Sequence, residues 1–60
     1  MNNKLLKNKK TGEIAMPVYN CEYHVIVLYA VKDNIVTTRL IDTYPNVELL
    51  YKEWTHVKGD

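Results

Sequence analysis

The sequence predicts an α+β fold: a small antiparallel sheet of about four strands, arranged as two hairpins, with one C-terminal helix packed on one face. Three observations carry that expectation. Two turn signals, Lys9-Lys10-Thr11-Gly12 and Asp33-Asn34, each separate segments with strand composition. Residues 22–32 and 35–42 are rich in β-branched and aromatic side chains. From Val47 onward, apolar residues recur at helical spacing.

In the first hairpin, Leu5-Leu6-Lys7-Asn8 and Glu13-Ile14-Ala15-Met16 form short arms. Gly12 can take the positive φ that closes such a turn, and the lysines at the tip read as a solvated loop. Pro17 is expected to break the second arm, with residues 18–20 leading onward.

The second hairpin turns at Asp33-Asn34, two residues that tolerate the left-handed conformation a type I′ turn needs at both positions. A strict ladder then pairs Lys32 with Ile35, Val31 with Val36, Tyr29 with Thr38 and Val27 with Leu40. Because side chains alternate, one face collects Tyr23, Val25, Val27, Tyr29, Val31, Val36, Thr38 and Leu40. The other carries His24, Ile26, Leu28, Ala30, Lys32, Ile35, Thr37, Arg39 and Ile41. Both faces are more apolar than a sheet with one wet side requires.

For the tail, Asn46 is the expected N-cap, with Pro45 before it. Val47, Leu50, Tyr51, Trp54 and Val57 make one apolar stripe, Glu48 and Lys52 an i,i+4 pair, and Lys58-Gly59 the C-terminal signal. One helix can cover only one sheet face. The expectation is that it covers the Val27 and Tyr29 side and leaves the Ile26 and Leu28 side for a partner.

Sixty residues with a net charge of +1 form one domain, 1–60. That charge gives no general grip on a polyanion. In so short a chain, hydrophobic burial and the entropy of ordering nearly cancel, so a staple is expected. Cys21 is the single cysteine and forms no intrachain disulfide; it reads as a small buried thiol. A structural metal site needs about four ligands; the inventory is Cys21, His24, His56 and assorted carboxylates, but on a strand Cys21 and His24 point to opposite faces, so no metal and no cofactor is expected. Self-association is the remaining staple.

Catalysis has little material. The chain has no serine, and Cys21 with His24 or His56 is the sole nucleophile–base couple. No catalytic residue is assigned. Residues 1–4 lack the apolar run of a secretory signal, and the apolar run 25–31 is too short to cross a bilayer. Together with the unpaired cysteine, this places the chain in the cytoplasm.

At two places the chain resembles small uncharacterised proteins encoded by phages and prophages of Gram-positive bacteria. The residues are Leu6-Lys7-Asn8-Lys9-Lys10-Thr11-Gly12-Glu13-Ile14 and the Trp-containing helical segment Leu50-Tyr51-Lys52-Glu53-Trp54, about fifteen positions in all. After the Trp, Thr55-His56-Val57-Lys58 replaces the acidic tail usual in that group. The resemblance implies a protein that works by binding in a bacterial host cytoplasm, and it implies no catalytic or ligand-binding residue.

The reading that results is a small non-enzymatic interaction protein, a homodimer with a host protein or defence component as its target. Its partner or dimer surface is expected at Ile26, Leu28, Ile35, Arg39 and Ile41. The first alternative is a nucleic-acid-binding regulator using Lys7, Lys9 and Lys10; the second is an oligomeric sponge for a small signalling nucleotide.

Overall fold

The computed structural model describes residues 4–57. The elements in chain order are β1 (Leu6–Asn8), β2 (Ile14–Asn20), β3 (Val25–Lys32), β4 (Ile35–Tyr44), α1 (Val47–Glu53) and β5 (Trp54–His56). All strand pairs are antiparallel, in the order β4-β3-β2-β1-β5. The α+β class, the two hairpins and the single helix are as expected. The sheet has five strands where about four are expected, because the end of the predicted helix is a strand.

The β1–β2 turn closes as its residues dictate. Gly12 has φ +79°, the Asn8 amide donates to the Glu13 carbonyl, and the Asn8 side chain accepts from the amides of Lys10 and Thr11. Pro17 does not break β2; it pairs with Leu28 inside the strand. The ladder between β1 and β2 covers just Ile14 and Ala15, so beyond it the outer edge of β2 is unladdered and a missing N–H is tolerated.

The β2–β3 connection occupies residues 21–24, so Tyr23 and His24 belong to a turn and not to a strand. Asn20 Oδ1 accepts from the amides of Glu22 and Tyr23, and His24 closes the turn at φ +55°. Cys21 is exposed there, contrary to its reading as a buried thiol.

The Asp33-Asn34 turn forms as predicted, with φ of +54° and +65°. The first two expected pairs follow, Lys32 with Ile35 and Val31 with Val36. The register then shifts twice: Tyr29 pairs with Leu40, not Thr38, and Val27 with Thr43, not Leu40. Thr37, Thr38 and Arg39 together oppose Ala30, with the Thr37 hydroxyl donating to the Ala30 carbonyl at 2.7 Å. Ile41 is a further extra residue between the Tyr29–Leu40 and Leu28–Asp42 pairs. Two added residues leave Leu40 on its expected face; the single one at Ile41 then turns Tyr44 to the Ile26 side.

Asn46 caps α1, accepting from the Leu49 amide at 2.9 Å. The helix stops at Glu53, four residues before the last position of the predicted stripe. Residues 54–56 pair with β1, and Lys9 occupies the helix end, its amine on the Tyr51 carbonyl and its amide on the Glu53 carbonyl. The Trp-containing segment is therefore helical only up to Glu53. Glu48 and Lys52 form no ion pair with each other, whereas the Arg39 guanidinium pairs with the Glu13 carboxylate. The Lys58-Gly59 signal lies outside the described residues.

The core contains Leu6, Ala15, Ile26, Leu28, Tyr44, Leu50 and Trp54, with Ile41 packed against it. The helix thus covers the Ile26 and Leu28 face, the opposite of the expected one. The chain's own Trp54 and Leu50 take the place expected for a partner. The side left uncovered is that of Val18, Tyr29, Val36 and Leu40.

Candidate binding surfaces

Of the five residues expected to form a partner surface, two are sealed in the core: Ile26 is 8% exposed and Leu28 0%. They cannot meet a partner in the folded chain. Ile41 is half-buried against the same core. Ile35 is exposed at the hairpin tip, and Arg39 is exposed with its guanidinium 3.1 Å from the Glu13 carboxylate. The five do not form one surface.

Two apolar surfaces replace it. The first is the open face of β2, β3 and β4, where cross-strand partners share a side: Val18 with Val27, Met16 with Tyr29, Tyr29 with Leu40 and Val31 with Val36. Leu40 is 53% exposed and Val36 47%, while Val27 between Val18 and Thr43 is buried. Since α1 is the sole non-strand element described and packs on the other side, no described element lies over this face.

The second is a groove of about 540 Å³ on the covered side, between α1 and the β2–β3 turn. Its lining is Pro17, Tyr19, His24, Ile26, Pro45, Asn46, Val47, Leu50 and Tyr51. Ile26 and Leu50 in this lining are buried, while Val47, Tyr19 and Tyr51 are exposed. Each tyrosine hydroxyl meets an imidazole five residues further on: Tyr19 with His24 Nδ1 at 3.3 Å, and Tyr51 with His56 Nε2 at 3.0 Å. The Tyr51 and His56 rings lie 5.3 Å apart, tilted by 44°. No lysine, arginine or carboxylate lines the groove.

The sequence reading misses this groove, because it assigns Tyr51 to the core stripe and sets His24 on a strand. The repeated Tyr-x-x-x-x-His spacing, at 19 and 24 and again at 51 and 56, is the signal that points to it.

The expected nucleic-acid lysines are partly committed. Lys9 holds the Tyr51 carbonyl. Lys9 and Lys10 do share a polar cavity of about 400 Å³ with Asn8, Thr11, Lys52 and Glu53. Lys7 does not line that cavity; its Cε lies 3.9 Å from where a Gly12 Cβ would stand. Neither imidazole is hydrogen-bonded to Cys21 among the described residues, and no group of three or more His, Cys, Asp or Glu could hold a metal ion there. No described helix is long and apolar enough to cross a membrane.

Among the described residues, the one strongly perturbed ionisable group is Tyr44, in the core. Tyr44 accepts a hydrogen bond from the Trp54 indole N–H at 3.0 Å and donates to Glu53 Oε1 at 2.7 Å. Burial first, and then the bond to Glu53, push its hydroxyl pKa up to about 12.

Comparison with family models, curated proteins and solved structures yields no match to this chain.

Proposed function

We propose that this chain is a non-enzymatic interaction protein that holds an extended, proline-containing segment of a partner protein in the groove between α1 and the β2–β3 turn. The observation that carries this reading is the lining itself: buried Ile26 and Leu50, two prolines, the Tyr19–His24 pair and Tyr51, whose hydroxyl is bonded to His56 outside the lining, with no formally charged carboxylate or amine.

Other common modes of peptide capture fit the groove less well. Strand addition needs an open sheet edge, whereas this groove lies on a sheet face beside a helix. Phosphopeptide capture needs an arginine cluster, and no arginine lines it. A polyproline II segment has no internal hydrogen bonds and presents its carbonyls outward, where tyrosine hydroxyls and imidazole N–H groups can donate to them. The partner class we favour is a host protein or defence component, in keeping with the phage-type resemblance.

The nucleic-acid reading has weaker support, because one of its three lysines caps the helix and no lysine lines the groove that holds the rings.

The test is an NMR titration of the labelled chain with a capped proline-rich decapeptide. Shifts centred on Tyr19, His24, Val47 and Tyr51, abolished by Tyr51→Ala, are expected. No shift at millimolar peptide, or shifts centred on Lys10 and Lys52 with an oligonucleotide instead, contradicts the reading.

A further inference from the structure

We propose that the cavity between the β1–β2 hairpin tip and the end of α1 binds a small phosphate-bearing anion. It shares no lining residue with the groove, so it stands or falls independently of the peptide reading.

Positive charge is gathered at this one place. Lys9, Lys10 and Lys52 line the cavity of about 400 Å³ against the single carboxylate of Glu53. The lining therefore carries a formal charge of +2, while the whole chain carries +1. The fold assembles these lysines from opposite ends of the sequence. The Lys9 amine donates to the Tyr51 carbonyl and the Lys9 amide to the Glu53 carbonyl, which fastens the hairpin tip to the helix end. That bond fixes one cation in place and leaves further ammonium protons for a ligand. Among the described residues, the amines of Lys10 and Lys52 have no hydrogen-bond or ion-pair partner. Like charges around one concavity repel, and an anion seated among them relieves that repulsion.

The neutral groups of the lining select the kind of anion. Asn8 Oδ1 already accepts from the amides of Lys10 and Thr11, and the Thr11 oxygen accepts from the Glu13 amide. What Asn8 and Thr11 have left to offer is an amide N–H pair and a hydroxyl proton. Glu53 Oε1 is likewise taken, by the Tyr44 hydroxyl. The cavity is thus rich in donors and poor in acceptors. A phosphate monoester, with three terminal oxygens and a charge of about −1.5 to −2 near neutral pH, matches both the donors and the +2 lining. A carboxylate supplies fewer oxygens and less charge. A nucleic-acid strand needs a track of cations with aromatic side chains for its bases. No aromatic side chain lines this cavity, and Lys32 stands in a separate one beside Arg39 and Glu13.

An NMR titration of the isotope-labelled intact chain with pyrophosphate, at constant ionic strength, tests the site. Saturable shifts confined to residues 8–11 and 52–53 are expected at millimolar ligand, with acetate binding at least about tenfold more weakly. Lys10→Gln and Lys52→Gln should each weaken pyrophosphate by about fivefold. Lys32→Gln removes the same charge elsewhere and should leave the affinity unchanged. All three lysines are exposed, and near-ultraviolet circular dichroism of Trp54 reports that each variant is folded. Four results would overturn the proposal: shifts that do not saturate, acetate binding as tightly as pyrophosphate, an equal loss in Lys32→Gln, or displacement of pyrophosphate by an oligothymidylate lacking a terminal phosphate.

Discussion

The indole N–H of Trp54 meets the hydroxyl of Tyr44 at 3.0 Å, joining the two strands that stand at opposite edges of the sheet order. Tyr44 in turn donates to Glu53 at 2.7 Å, so the chain of bonds links the end of β4, the end of α1 and the start of β5. The sheet is thereby held curled over its core. Tyr44→Phe keeps the ring but leaves the buried indole N–H without its acceptor. We expect a loss of about 1–3 kcal/mol in urea unfolding, with the secondary structure retained. An unchanged midpoint would mean the clasp contributes nothing.

The same hydroxyl makes stability depend on alkaline pH. Its pKa is raised from 10.0 to about 12, so between those values the folded chain holds a proton that the unfolded chain has released. The stabilisation is therefore fully present below pH 10 and is lost as pH rises through about 12. Melting temperatures of the native chain should fall more steeply across that window than those of Tyr44→Phe. Parallel curves would contradict the assignment.

Asn46 closes the helix start through its side-chain oxygen on the Leu49 amide, and the helix in turn places Leu50 in the core. Asn46→Ala should cost about 1 kcal/mol, read as a lowered urea midpoint. Since the groove is lined by residues of this same helix start, binding of the proline-rich decapeptide should weaken with it. A variant that loses stability yet binds the peptide as before would place the peptide elsewhere.

Gly12 sits at φ +79°, and the nearest atom to where a Cβ would stand is 3.9 Å away, so conformational strain and not crowding is what a side chain there would meet. Gly12→Ala should destabilise by about 1 kcal/mol, and Gly12→Asn by less, because asparagine tolerates the left-handed region. Thermal unfolding of the two variants side by side checks the order.

Much of the fold is legible in the residues. The Asp33-Asn34 turn, the Gly12 turn and the Asn46 cap are local features, set by a few neighbouring side chains, and all three form as read. What is not legible depends on long-range pairing. Trp54-Thr55-His56-Val57 alternates with strand-like composition, but Trp54 and Val57 also continue the helical stripe, and only pairing with β1 decides between them. The covered face escapes the sequence for a related reason. A strict ladder sets Tyr44 with Leu40, whereas the extra residue at Ile41 turns it toward Ile26, where Trp54 also arrives. Two apolar faces and one helix do leave a surface over, as expected; which surface is left depends on one bulge.

The division of the sheet into a sealed face and an open one underlies the placement of the groove, and one paired measurement tests it: thermal unfolding of Leu28→Lys and Leu40→Lys in dilute solution. Leu28 is 0% exposed beneath the chain's own core and Leu40 is 53% exposed on the open side. Leu28→Lys should abolish the cooperative transition, since it buries an unpaired ammonium. Leu40→Lys should melt within a few degrees of the native chain. A folded Leu28→Lys beside an unfolded Leu40→Lys would reverse the two faces and contradict the account.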